Sequence, residues 1–309
     1  MDRESRDLDE ILAELGEGGD VASATLAELS GLGREEAASF KKTLAHISTE
    51  RRRETVGRLV ALAEDNIELN FDAIFKQCLS DSDPQVRSRA IEGLRESEDP
   101  SLVAPLLDLL TKDASEQVQT AAAIALGKFA MLGELGKLRV PHLSKIQRGL
   151  TDVVSDQSRT EELRRRALES VAPLSVAEVR EAIEEAYRGH SARLKVSALY
   201  AMGKNCDPAW LTILIEELGS QSAEMRYESA NALGEIGDQT AIPHLIDAAD
   251  DPDDEVRQAV MLALGKVGGK TAKEYLQHCL SSRSEAVREA ARQALDELRS
   301  MEDPLSLQL

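Results

Sequence analysis

Aromatic side chains make up only 3% of the 309 residues, with one Trp, four Tyr and four Phe, which argues against an all-β protein. Cysteine is scarcer still. Cys78, Cys206 and Cys279 are odd in number and lack CxxC spacing, so neither a disulfide framework nor a cysteine zinc site is expected. No apolar run approaches the roughly 18 residues of a membrane span, and the opening MDRESRDLDEILAEL lacks the basic and apolar regions of a signal peptide. These absences predict a soluble, cytoplasmic chain with reduced thiols. Positive charge is also short: 37 Lys and Arg against 56 Asp and Glu leave a net charge of −19, unfavourable toward phosphate backbones and anionic lipid.

What is present is a helix-forming palette of Ala, Leu, Glu and Arg, with 42% apolar residues, enough for a substantial core. It is arranged periodically. An aliphatic anchor followed by a mostly basic residue recurs at Val86-Arg87, Val118-Gln119, Leu163-Arg164, Leu194-Lys195, Met225-Arg226, Val256-Arg257 and Val287-Arg288. The first step is 32 residues, the second 45, and the last four are 31 each, a period that means stacked helical pairs.

Three residues before the anchors stand Asp83, Ser115, Thr160, Ser191, Ser222, Asp253 and Ser284, each able to cap a helix N-terminus. Four and eight residues after them, pairs such as Ala90/Leu94, Ala198/Met202 and Ala291/Leu295 place small and large apolar groups on one face. This is the second helix of each pair. Gly127, Gly203, Gly234 and Gly265 come next, where glycine is expected to help the chain turn, and Pro105 and Pro243 mark the first turn of first helices.

The unit AIPHLIDAADDPDDEVRQAVMLALGKVG (241–268) resembles a HEAT repeat, in the short bacterial form found also in phycobilisome lyases, and the pattern covers 68–300. The resemblance implies an all-α, right-handed α-solenoid of about seven helical pairs. It further implies a ladder between stacked repeats, built from an Asp before the second helix and the Arg beside the anchor. Asp81/Arg87 and Asp251/Arg257 match that pattern fully, whereas Asp113 meets Gln119 and other repeats lack the Asp, so a broken ladder is expected.

Two regions depart from the repeat. Residues 21–67 form a helical cap whose degenerate repeat has Thr49 as N-cap and Arg52 at the anchor position, preceded by an acidic arm (1–20) with Leu8, Ile11, Leu12 and Leu15 at helical spacing. That arm is either partly ordered or an amphipathic helix docking on the solenoid or on a partner. The long step from Val118 contains fourteen extra residues, an insertion around 133–160, and 301–309 reads as a flexible tail.

Charge is segregated along the chain. Basic islands lie at 37–58 (six basic, two acidic) and 137–166 (eight basic, four acidic), while 207–256 holds thirteen acidic residues against Arg226. Catalytic signals are sparse. The histidines, His46, His142, His190, His244 and His278, are scattered and none precedes Glu, so the His-Glu pairs by which HEAT-like deoxyhypusine hydroxylases bind iron are missing. No phosphate-binding glycine motif occurs, and DDPDDE (250–255) lacks the Gly and closing Glu of a calcium loop. Cys78 and Cys279 stand at positions where other repeats carry Leu or Ala and read as core residues.

No enzyme activity, cofactor or metal is therefore expected, and function falls to the surface. Positions two and six residues past each anchor belong to the concave face of such arrays and give Val196, Tyr200, Tyr227, Asn231 and Leu262 in repeats four to six, an apolar, tyrosine-bearing patch within the acidic stretch. The expectation is a scaffold or adaptor binding a protein with a basic surface or peptide there. The alternatives are a bilin-lyase-like or other enzyme on this scaffold and a nucleic-acid adaptor using the basic islands.

Overall fold

The computed structural model describes residues 8–17, 21–282 and 284–302. The start of the acidic arm, its break at 18–20 and most of the tail set at 301–309 lie outside the described residues. Helices and turns make up the described chain, with no strand among those residues. Four helices come first: α1 (Leu8–Glu17), α2 (Ser23–Ala27), α3 (Arg34–Leu44) and α4 (Thr49–Asp65). Seven pairs follow, each a first helix and a longer or equal partner: α5 (Asp72–Cys78) with α6 (Pro84–Gly93), α7 (Val103–Lys112) with α8 (Glu116–Glu134), α9 (Val140–Ser155) with α10 (Glu161–Val171), α11 (Ala177–Arg188) with α12 (Ala192–Asn205), α13 (Leu211–Glu217) with α14 (Ala223–Ile236), α15 (Ile242–Asp247) with α16 (Asp254–Val267), and α17 (Gly269–Cys279) with α18 (Glu285–Glu302). The pair α9/α10 breaks the length rule, because α9 has taken up part of the insertion. The chain divides into two compact units, Met1–Val153 and Val154–Leu309.

In the first unit α1 buries Ile11, Leu12 and Leu15 and packs on α3, so the described part of the arm is an amphipathic helix docked on its own chain. Arg51 Nε donates to the Leu15 carbonyl at 3.3 Å. The degenerate repeat is α3/α4, and its register differs from the expectation by one residue. Ser48, not Thr49, caps α4 by accepting from the Arg51 amide, which puts Arg51 at the anchor position and Arg52 in the ladder position beside it. The inserted residues lengthen helices instead of forming a loop: α8 runs for 19 residues and α9 for 16, against 10 in α6 and 12 in α11.

The ladder runs between successive repeats, as the resemblance implies, with the Arg side chain of one repeat meeting the Asp of the next. Arg52 donates to Asp81 at 3.3 Å, and Arg87 grips Asp113 through two bonds of 2.7 Å. Gln119, expected opposite the Asp113 side chain, instead donates to its backbone carbonyl at 2.5 Å. In the second unit Arg226 holds Asp251 through bonds of 2.6 and 2.8 Å. Each Asp also accepts an amide two residues on, from Asp83, Ser115 and Asp253, so one carboxylate shapes its turn and joins two repeats.

Second helices α10, α12, α14, α16 and α18 pack side by side in the second unit. Their closest contacts explain the glycines. A Cβ on Gly203 would lie 2.7 Å from Ala232 Cα, one on Gly234 2.9 Å from Ala263 Cα, and one on Gly265 2.6 Å from the Ala294 carbonyl. These glycines sit inside helices and permit close approach; they do not turn the chain. Turning falls three residues later, to Cys206 (φ 53°), Gly237 (φ 71°) and Gly268 (φ 67°). All seven expected caps stand at their helix starts, though Ser115 and Ser222 make no side-chain bond to the free amides.

Candidate partner-binding face

The expected face falls on three neighbouring helices of the second unit. Tyr200 lies on α12, Tyr227 on α14, and both rings are more than a third exposed, at 38% and 37%. Asn231 on α14 and Leu262 on α16 are half-buried. Val196 does not belong with them. It is 6% exposed, because α12 is flanked by second helices on both sides and buries Val196, Ser197, Leu199 and Ala201 as well as its inward stripe. A simple helical wheel assigns such flanking positions to solvent; a helix with a neighbour on each side turns them into core.

Charge around Tyr200 is organised across repeats. Lys204 Nζ lies 5.7 Å from the centre of the Tyr200 ring, within cation–π range, and 3.4 Å from Glu235. Glu235 accepts a second cation, Lys266, at 2.7 Å. Burial opposes ionisation of Glu235, but the hydrogen bond from Lys266 and the charge of Lys204 outweigh it, so its carboxyl stays below the usual range. Lys204, Glu235 and Lys266 each stand ten residues past an anchor, on α12, α14 and α16. The alternation of sign at that repeat position was the signal available in the sequence.

Glu228 is the exception. It is half-buried on α14 and has no hydrogen-bond or ion-pair partner among the described residues. Burial, reinforced by repulsion from Glu169 and Glu224 and only partly offset by Lys204, pushes its carboxyl up to about 7. Tyr200 is raised as well, by burial, with Lys204 working against the nearby carboxylates of Glu169, Glu228 and Glu235. By contrast Glu169 is well provided for: Ser197 donates to it at 2.6 Å and Arg166 at 3.0 Å, while Arg166 and Arg165 both reach Glu162. An added cation would therefore find its unmet partner at Glu228.

The thiols are held in their less reactive, protonated form. Burial pushes Cys78 up to about 12 and raises Cys206 and Cys279, which keeps all three protonated at neutral pH. Among the described residues, no three His, Cys, Asp or Glu side chains are grouped to hold a metal ion. No described helix is long and apolar enough to cross a membrane. Most of the basic island at 37–58 is engaged internally: Arg51 by Leu15, Arg52 by Asp81, Arg53 by Asp83, Arg58 by Ser23 and Lys41 by Ser80.

Antiparallel helical pairs stacked at a fixed period, joined through second helices and Arg–Asp rungs, define an α-solenoid. A family model for HEAT repeats matches residues 71–146 and 211–296, more than half the sequence, and the chain belongs to that family. No curated protein matches it in sequence. Among solved structures, Kap95 in its complex with Nup1 aligns with a TM-score of 0.56 at 14% identity, over 94% of this chain and 46% of that one. An engineered protein aligns at 0.46 and 19% identity over 96% and 92%. The CpcE and CpcF complex of phycocyanin lyase from a Nostoc species gives 0.49 and 16% over 87% and 95%. At such identities the Kap95 likeness speaks for the fold alone.

Proposed function

We propose that this chain is a non-enzymatic interaction scaffold, and that the exposed face of α12, α14 and α16 receives a protein partner presenting Lys or Arg. The observation that carries this reading is Glu228, a half-buried carboxyl without a partner beside a half-open tyrosine. A cation arriving there relieves the repulsion from Glu169 and Glu224 and meets the ring of Tyr200, which already attracts Lys204. Tyr227, Asn231 and Leu262 supply an apolar surround with a polar group, the make-up of an interaction hot spot. HEAT arrays commonly serve as binding platforms; Kap95, of similar fold, is known in complex with Nup1.

The test is affinity capture from the native host on the immobilised chain, followed by calorimetry with each retained protein. Tyr200→Ala with Tyr227→Ala is expected to weaken binding by about 1–2 kcal/mol or more, and Glu228→Lys to abolish it. Unchanged affinity in both variants rejects this face as the site.

A further inference from the structure

Helix α8 carries a second apolar face that is open to solvent over much of its surface. Its core face buries Val118, Ala122, Leu126, Phe129 and Ala130. On another side Ile124, Met131 and Leu135 recur at helical spacing and are exposed, Leu135 to 61%. Half-buried Gly127 stands in the same stripe. From Ile124 to Leu135 it is about 17 Å long at 1.5 Å per residue, three turns of a docked helix.

The far end of the stripe is cationic. After Leu135 the chain turns through Gly136 (φ 71°), and the Lys137 amide donates to the Leu132 carbonyl at 2.8 Å, a closed helix terminus that fixes the corner. Leu138 folds back into the core, whereas Val140 is 73% exposed. Lys137 and Arg139, which precede it, and Lys145 and Arg148, further along α9, are exposed and have no carboxylate partner among the described residues, unlike the Arg residues near 159–166. Two such cations directly after the apolar stripe and two more on the next helix stand out on a protein of net charge −19.

We infer that this face docks an acidic amphipathic helix of a partner protein, its apolar stripe on Ile124, Met131 and Leu135 and its carboxylates toward Lys137 and Arg139. The chemistry selects against other occupants. Nucleic acid gains nothing from exposed aliphatic groups and finds no exposed aromatic side chain on this helix to stack on. An anionic bilayer would be repelled by the rest of the molecule.

The experiment uses fluorescence anisotropy on the full chain with the labelled peptide LDEILAELLDEILAEL, a scramble of the same composition that is not amphipathic, and a version with Lys in place of its acids. The acidic amphipathic peptide is expected to bind at least tenfold tighter than either control. Leu135→Asp and Met131→Asp should each weaken it tenfold or more, and Lys137→Glu with Arg139→Glu should weaken it and flatten its salt dependence. Circular dichroism of these surface variants should match the parent. Tyr200→Ala with Tyr227→Ala should leave this binding unchanged, which separates it from the face of α12, α14 and α16. Equal affinity for the scrambled peptide, or insensitivity to Leu135→Asp, overturns the inference. So does sedimentation with four-to-one phosphatidylcholine and phosphatidylserine vesicles, or retention of duplex DNA, that is lost in Leu135→Asp while the acidic peptide fails to bind.

Discussion

Replacing Arg226 with Met tests whether the Arg–Asp rungs hold neighbouring repeats together. The Arg226 side chain is 13% exposed and that of Asp251 is 7%, so water cannot take over the missing partner. In the variant the Asp253 amide at 2.9 Å is the hydrogen bond left to the Asp251 carboxylate, with the charge of Arg257 nearby, and the Ser220 carbonyl loses the guanidinium that reached it at 2.9 Å. Stranding a buried carboxylate typically costs about 3–5 kcal/mol, and the single amide left to Asp251 places the expected loss near about 3 kcal/mol. Because each repeat touches only its neighbours, the loss should be local. Hydrogen exchange followed by mass spectrometry should show α14, α15 and α16 opening more readily, with α4 to α7, which share the Arg52 and Arg87 rungs, unchanged. Acid provides an internal check. Arg226, working against burial, holds the Asp251 carboxyl below its usual range, so the rung stabilises the fold above the ordinary carboxylate value near 4 and fades as pH falls through the lower native one. The gap between parent and variant should therefore narrow in acid, and adding Asp251→Asn to Arg226→Met should recover part of the loss at neutral pH. A deficit under about 1 kcal/mol, or loosening spread evenly over the chain, would show that apolar packing alone joins the repeats.

Glu228→Gln removes a carboxyl held near 7 instead of its ordinary 4.5; the native state resists its ionisation, so the parent loses stability as pH rises between those values. The variant should match the parent near pH 4 and exceed it by about 1 kcal/mol above pH 7 after screening by solvent, read from urea midpoints at each pH. Leu233→Ala, in a fully buried position, should cost about 2–5 kcal/mol in local opening free energy on hydrogen exchange, confined to repeats five and six. Gly265→Ala forces a methyl against the Ala294 carbonyl and should cost about 1–3 kcal/mol in thermal unfolding; a neutral result would mean α16 and α18 part freely. With a disulfide reagent at pH 7, exposed Cys206 should react before Cys78, and simultaneous modification of both would contradict the burial of Cys78.

Periodicity made the architecture readable, because each repeat obeys the same three demands: a cap, an anchor and a small-large apolar pair. What the single-helix pattern could not show was contact between helices. Val196 and Tyr200 occupy the same angular sector of one wheel, yet a neighbouring helix buries the first and leaves the second open. The same blindness misplaced the glycines, whose purpose lies in the alanine of the next repeat, and hid which Asp each ladder Arg meets, since the two sit 25 or 26 residues apart along the chain at Arg226–Asp251 and Arg87–Asp113. In the cap a one-residue slip arose because Ser48 and Thr49 are both competent caps and only the Arg51 amide distinguishes them. Glu228 was invisible for another reason: its state depends first on burial and then on Glu169, a full two repeats earlier in sequence.

The lengthened α8 and α9 carry a lesson about how such a chain accommodates growth. Fourteen residues correspond to nearly four helical turns, and they are shared between two rods that end at one corner, α8 at Glu134 and α9 at Val140. The spacing is 31 residues from Leu163 onward, so the added length stays upstream of the next anchor. Two residues inserted inside either rod would instead rotate all its later side chains by about 200° and destroy their contacts. Length is absorbed at the corner and not within a packed stripe, which makes the hairpin a natural place to lengthen the protein without redesigning it.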